Sequence, residues 1–381
     1  MTSKERVQTT LEFREPDKVP LGDFAIDFDT AAKVLGRETY VRAKAKTTIA
    51  YWEGRRDEVV QSLKADIPEL FRKLGVYDII NLGCTAMCSV RPKGYEPQKP
   101  KQIAERTWET KDGRILKYSD ITGDITCVHD PHTWERQFRA EDFDLDPQVG
   151  PPDESVFEVY DVVTEAFKNE KYLIGPFPQA PEQVLLGGME RGLVEIAEHP
   201  EVVQRAVEAG IARARKAQRY WRNRGWDATM NGTDFGYRAG PYASPRVFRE
   251  LFLPAVRFNV ESAHAHGLKF IQHACGNNWP ILDGFIEAGI DCYQSVQASA
   301  DMDIGEVKKA SAPKMAVWGG VRVENLVSGT MEDVRKDVRY AMEVAKEGGG
   351  FILGSTHSIA VGTKYDNFMA MLDEFEKLRE Y

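Results

Sequence analysis

Short apolar runs rich in β-branched residues alternate with longer amphipathic stretches along this chain, and that alternation limits its fold more than any other feature. Eight runs read as strands: Val19–Ile26, Asp78–Leu82, Tyr172–Pro176, Ala228–Thr233, Lys269–His273, Ile290–Gln294, Met315–Trp318 and Phe351–Gly354. Pro68–Leu74, Leu193–Tyr220, Pro245–His266, Trp279–Ala288 and Met331–Lys346 carry helical periodicity between them. Strand–helix repetition implies a parallel sheet covered by helices, and eight such units close a (β/α)8 TIM barrel. The competing arrangement is an open doubly wound sheet, but no Gly-rich dinucleotide fingerprint follows Val19–Ile26. The chain therefore reads as α/β, one barrel domain over residues 1–381 with an N-terminal helical decoration at Ser3–Leu11. Residues about 90–155 break the alternation. There Asp112-Gly113 stands between Trp108-Glu109-Thr110 and Ile115–Tyr118, a two-residue turn signal that predicts a hairpin-bearing insertion, not a second domain.

Composition narrows the function classes. With 50 Lys+Arg against 59 Asp+Glu the net charge is −9, which argues against a nucleic-acid partner needing a basic surface. Met1–Arg6 is charged and lacks the apolar stretch of a secretory signal. No apolar run approaches the roughly 18 residues of a membrane span. A cytoplasmic enzyme without a membrane partner is expected, and a homodimer stays compatible with it. Five cysteines, few and odd in number, do not suggest a disulfide framework.

Barrel active sites form at the C-terminal ends of the strands. Asp27, Cys84, Phe177, Asp234, Cys275, Gln297, Arg322 and His357 fall there. The most informative segment is Phe270–Gly276: His273 and Cys275 are two apart and so face the same side of a strand, into the barrel mouth. An imidazole beside a thiolate makes half of a tetrahedral zinc site. His357 is the best-placed further ligand, and Asp234 completes the set or orients a member of it. Spacing alone leaves a core cysteine beside a histidine as the commoner meaning of His-x-Cys. Cys84 and Cys88 form a second, weaker metal or redox candidate, and Cys292 reads as core. Arg213, Arg215, Lys216, Arg219, Arg222 and Arg224 make one helix basic, either a solvated face or a dock for an acidic partner. Gly319-Gly320 reads as a phosphate cradle or as a tight turn.

Arg6 to Pro20, Gly240–Pro254, His273–Asn277, Trp318–Val321 and Gly349–Leu353 together resemble the uroporphyrinogen decarboxylase superfamily, in matching order along nearly the whole chain. The resemblance implies a (β/α)8 barrel with helical N-terminal decoration. True decarboxylases carry an arginine-rich segment after the first strand; here that place reads Asp23–Asp29, acidic and apolar, unsuited to a substrate of many carboxylates. Corrinoid-dependent methyltransferases, the other branch, hold zinc through a His-x-Cys pair and a later cysteine. His273 and Cys275 match the pair, whereas the later cysteine falls at His357, which the decarboxylases also carry. Tyr293–Ser295, Met302–Ile304 and Ser358–Asn367 look most like the group that includes aromatic O-demethylase methyltransferases.

The expected activity is thus zinc-dependent transfer of a methyl group from a small methylated donor, a methoxyaromatic first among them, to the Co(I) corrinoid of a separate protein. His273, Cys275 and His357 are the expected metal ligands. His357, Asp234 or Tyr237 would protonate the leaving oxygen. Phe24, Phe28, Phe177 and Trp318 are candidates to sandwich a substrate ring. The corrinoid must arrive on a partner, because the chain lacks the Asp-x-His-x-x-Gly segment of cobalamin-binding domains. The rivals are a methylcorrinoid-to-thiol methyltransferase, a metal-free decarboxylase and a non-catalytic binding barrel.

Overall fold

Seven of the eight expected strands pair into one all-parallel sheet. The structure, a computed structural model, describes residues 1–85 and 90–381, the side chains of residues 84 and 85 excepted. Its strands, in chain order, are β1 (Ile79–Asn81), β2 (Lys101–Ala104), β3 (Thr107–Glu109), β4 (Ile115–Ser119), β5 (Asp124–His129), β6 (Tyr172–Ile174) and β7 (Ala228–Gly232). There follow β8 (Gly236–Tyr237), β9 (Gly240–Pro241), β10 (Lys269–His273), β11 (Cys292–Ser295), β12 (Ala316–Val321) and β13 (Phe351–Ser355). The parallel order is β1-β6-β7-β10-β11-β12-β13.

The run expected as the first strand, Val19–Ile26, forms only isolated parallel bridges, Leu21 with Leu353 and Ile26 with Ile359. Pro20 has no N–H to give a ladder. The segment still bonds to both edges of the sheet: Leu21 O accepts the Asp78 N–H (2.8 Å), and the Gly22 N–H donates to Leu353 O (3.0 Å). The result is a TIM-barrel-like α/β fold in which an extended segment stands in the eighth place.

Period-two alternation sorts the side chains into layers. Ile79, Tyr172, Ile174, Ala228, Ile271, Cys292, Ala316, Trp318 and Ile352 form one buried cluster inside the sheet, joined by Val7 and Leu11 of the helix Ser3–Leu11. The N-terminal decoration therefore contributes to the interior floor. Trp318 fits because Gly22 and Gly354 leave room; a Cβ on Gly354 would lie 2.1 Å from Gly22 O. Two residues further along, toward the strand ends, Asn81, Met230, His273 and Gln294 face the same way, and Asn81 Nδ2 lies 3.2 Å from Met230 Sδ. A second, larger core lies between the sheet and its outer helices.

Several helix boundaries differ from expectation. Pro68–Leu74 belongs to one long helix, Arg56–Lys73, which tolerates Pro68 in its interior. Leu193–Tyr220 is two helices, Met189–Glu198 and Pro200–Gln218, because Pro200 has no N–H to continue the first and suits the opening turn of the second. The helix within Pro245–His266 carries a π-turn at Phe248–Phe252, between Pro245–Val247 and Leu253–Ala265, and Phe248 packs edge-on to Phe235 at 5.3 Å.

Between β1 and β6 the chain forms a separate antiparallel sheet, β2-β3-β4-β5. The Asp112-Gly113 hairpin is present, with a three-residue loop where two were expected. The Thr110 N–H donates to Arg114 O (2.9 Å), and Gly113 takes the left-handed φ of 79° that such a loop requires. The expected basic helix ends at Gln218, so Arg219, Arg222 and Arg224 lie beyond it, and three of the six basic residues pair with this same region: Lys216 with Asp146, Arg222 with Glu154 and Arg224 with Asp161. Its charges clamp the chain onto itself. Among the described residues no helix is long and apolar enough to cross a membrane.

Candidate metal centre

His273 ends β10, and Cys275 follows two residues on, so the extended chain turns both side chains to one side. Cys275 Sγ lies 3.5 Å from His273 Nε2. Gly276 then turns the chain at φ 88°, where a Cβ would come within 2.6 Å of the Gly236 backbone. His357, just past β13, brings its ring centroid 5.6 Å from that of His273, at 78°. One ligand atom from each of His273, Cys275 and His357 lies within 4.8 Å of the others, and among the described residues no second cluster of this kind occurs.

Hydrogen bonds assign both imidazoles the same tautomer. Gln294 stands opposite His273 in the β10–β11 register. Its Nε2 donates to Ser355 O (3.3 Å), so its Oε1, which can only accept, faces His273 Nδ1. Nδ1 therefore carries the proton and Nε2 the lone pair. At His357, Nδ1 lies 3.1 Å from Ser358 Oγ, and that hydroxyl donates its one proton to Asp27 Oδ2 (2.9 Å). The hydroxyl is left to accept from His357 Nδ1–H, which again frees Nε2. Asp27 Oδ1 in turn accepts from Arg42 Nε at 3.0 Å.

Burial sets the protonation states. It lowers His273 to about 4 and lowers His357 as well, so both rings are neutral near pH 7, the form that binds metal. Burial, with the Asp234 carboxylate nearby, pushes the Cys275 thiol up to about 12. A cation is needed to hold that sulfur as thiolate. Two neutral imidazoles and one thiol, brought together from the end of β10 and the loop after β13, form a donor set that fits zinc.

The other expected residues take different places. Asp234 is outside the ligand cluster: its Oδ1 accepts the Cys275 backbone N–H at 2.7 Å and lies 3.9 Å from His273 Nε2. It thus holds the backbone of Cys275 in place. Tyr237, 53% exposed, stacks on Tyr242 at 5.7 Å, and its carbonyl accepts the Asn277 N–H. Gln297 Oε1 holds the Gly276 N–H at 2.9 Å. Phe24 stacks on the His273 ring at 4.1 Å and 27°, covering one face of a ligand. Trp318 and Phe177 do not line the mouth. Trp318 is fully buried with its Nε1 on Gly22 O, and Phe177 packs edge-on to Trp221 at 4.9 Å, beside an apolar cavity of about 380 Å³ that shares no residue with the ligand cluster. Cys292 is core, as expected. Cys88 and the side chain of Cys84 lie outside the described residues.

Gln294, Ser358 and Arg42 have roles that the sequence reading did not assign. Gln294 carried one signal, its place at the end of a strand next to that of His273. Ser358 carried another, as the neighbour of His357.

The fold and these donors define a TIM-barrel-like protein with a thiol–imidazole cluster at the ends of its parallel strands. Residues 238–378 match the family model described as uroporphyrinogen decarboxylase (URO-D), a span that holds His273, Cys275 and His357 but not Asp27 or Arg42. That part of the chain is thus similar to the URO-D family. No curated protein matches the chain. Among solved structures, the fold is similar to that of a methyltransferase from Methanosarcina mazei, at 15% identity and TM-score 0.65, covering 99% of each chain. A Listeria monocytogenes protein, crystallised as a candidate vitamin-B12 independent methionine synthase, is similar at 11% identity and TM-score 0.47, over 94% of this chain and 98% of that one.

Proposed function

We propose that this chain is a zinc-dependent methyltransferase that moves a methyl group from a small methylated donor, foremost a methoxyaromatic, to the Co(I) corrinoid of a separate partner protein. The observation that supports this reading most is the convergence of one ligand atom each of His273, His357 and Cys275 within 4.8 Å, with both Nδ1 positions already engaged. Zinc held there supplies Lewis acidity toward an oxygen leaving group, worth several kcal/mol of barrier. His273 and His357 would hold zinc through neutral imidazoles, and Cys275 through its thiolate, the thiol proton being released to solvent. His357 suits the ligand role better than the acid role, because its one ring proton is turned to Ser358. Asp234, half open to solvent and 3.9 Å from His273 Nε2, is the side chain best placed to move a proton at the departing oxygen. Tyr237 stands further out. The family similarity over residues 238–378 and the fold shared with the Methanosarcina methyltransferase are both compatible with this chemistry.

The test is a methyl-transfer assay with zinc-loaded chain, a reduced corrinoid protein and a panel of guaiacol-type donors. Methylation of the corrinoid with release of the phenol is the expected result. No methylation across the panel, with zinc bound, contradicts the proposal. Decarboxylation by metal-free chain would replace it with the rival reading.

A further inference from the structure

We infer that Asp27 and Ser358 are positioning residues of the metal centre, which fix His357 with Nε2 presented to the cation and strengthen that nitrogen as a donor. This rests on the metal reading above. Asp27 is the N-cap residue of the helix Phe28–Leu35, yet its side chain makes no capping bond there. Aspartate at that position ordinarily satisfies a helix N–H, and losing such a cap costs about 1 kcal/mol. Here both carboxylate oxygens are directed elsewhere: Oδ2 accepts from Ser358 Oγ (2.9 Å) and Oδ1 from Arg42 Nε (3.0 Å). All three residues are buried. A buried ion pair is weak support for a fold, since taking both charges out of water offsets much of their attraction. Its hydrogen-bond chain does, however, end on a ligand.

The backbone fixes this chain of contacts in place. The Asp27 N–H donates to Ile359 O (2.9 Å), the Ile359 N–H donates to Ala25 O (2.8 Å), and Ile26 bridges Ile359 in parallel register. One of the two parallel bridges that remain of the expected first strand is therefore the one that sets Asp27 beside Ser358. The two imidazoles are supported differently. His273 leans on the neutral amide of Gln294, whereas His357 leans on a carboxylate through a hydroxyl. A carboxylate behind a ligating imidazole raises its basicity and holds its ring orientation, and removing such support typically costs 10–100-fold in metal affinity.

The experiment compares zinc affinity, by chelator competition, and the visible spectrum of the cobalt(II)-substituted chain, for the unsubstituted protein, Asp27→Asn, Ser358→Ala and Ser358→Thr. Asp27→Asn and Ser358→Ala are expected to weaken zinc binding about 10–100-fold and to shift the cobalt bands, while Ser358→Thr, which keeps the hydroxyl, stays near the unsubstituted value. Melting of the metal-free proteins separates positioning from structure: a purely structural role lowers that melting temperature and leaves the affinity of the folded fraction unchanged. Unsubstituted affinity and spectra in both Asp27→Asn and Ser358→Ala would overturn this inference alone. Failure of the unsubstituted chain to bind zinc or cobalt would overturn it together with the metal reading.

Discussion

At the scale of single residues, a buried cluster of two imidazoles and a thiol faces a conflict. Burial keeps His273 and His357 neutral, which suits a ligand, but it also keeps Cys275 protonated, which does not. Cys275→Ala is expected to abolish high-affinity zinc binding while leaving the fold intact, checked by metal content after dialysis and by circular dichroism. Gln294→Leu strands the His273 Nδ1–H without an acceptor and should cost about 1–3 kcal/mol of stability, read from chemical denaturation. A pH effect follows from Glu182, which is fully buried on Asn259 Nδ2 (3.0 Å) and pushed by burial up to about 7. Asp23, buried against Tyr77, is raised to about 7 in the same way. The folded chain holds these protons up to about pH 7, while the unfolded chain releases them near pH 4. Folded chain therefore binds more protons across that window, and its stability from these groups falls as pH rises through it. Glu182→Gln should flatten the decline between pH 5 and 8 by about 2 kcal/mol; an unchanged pH profile contradicts the assignment. His273, Cys275 and His357 were legible from the sequence because strand ends and period-two facing are local signals. Asp27 was visible only as a strand-end residue, since its partner Ser358 lies 331 positions away.

At the scale of elements, the seven regular strands were legible because most are short β-branched or aromatic runs flanked by turn residues. The first was not, because pairing depends on N–H groups and neighbours that apolar periodicity does not report. Pro20 interrupts the donors, and both neighbours of the segment come from distant parts of the chain. The break at His199-Pro200 was missed for a different reason: amphipathic periodicity runs through it, while the backbone does not. Interior packing gives the sharpest prediction at this scale. In Gly354→Ala the new methyl would lie 2.1 Å from Gly22 O and 2.7 Å from Trp318 Nε1, so the extended segment and β12 must move apart. The expected loss is about 3 kcal/mol, the upper end of ordinary overpacking, measured by denaturant titration. Full stability in this variant would contradict the packing of Trp318 against that segment.

At the scale of the whole molecule, alternating strands and helices carried the architecture, and the antiparallel insertion announced itself by a turn signal. How the insertion lies against the rest was not legible. That depends on scattered charges, such as Asp146 and Glu154 meeting Lys216 and Arg222, which read in the sequence as a solvated basic face. Because the three donors come from the end of β10, the turn after it and the loop after β13, a bound metal would tie distant parts of the chain together. Zinc at 100 times its dissociation constant should therefore add about 2.7 kcal/mol to folding stability, and a chelator should remove it, seen as a shift in melting temperature. The most direct measurement is X-ray absorption at the zinc edge of the loaded chain. Two imidazole nitrogens at about 2.0–2.1 Å and one sulfur at about 2.3 Å, with the sulfur lost in Cys275→Ala, are predicted. A zinc environment of oxygen and nitrogen alone in the unsubstituted chain, or no zinc retained, would contradict the account.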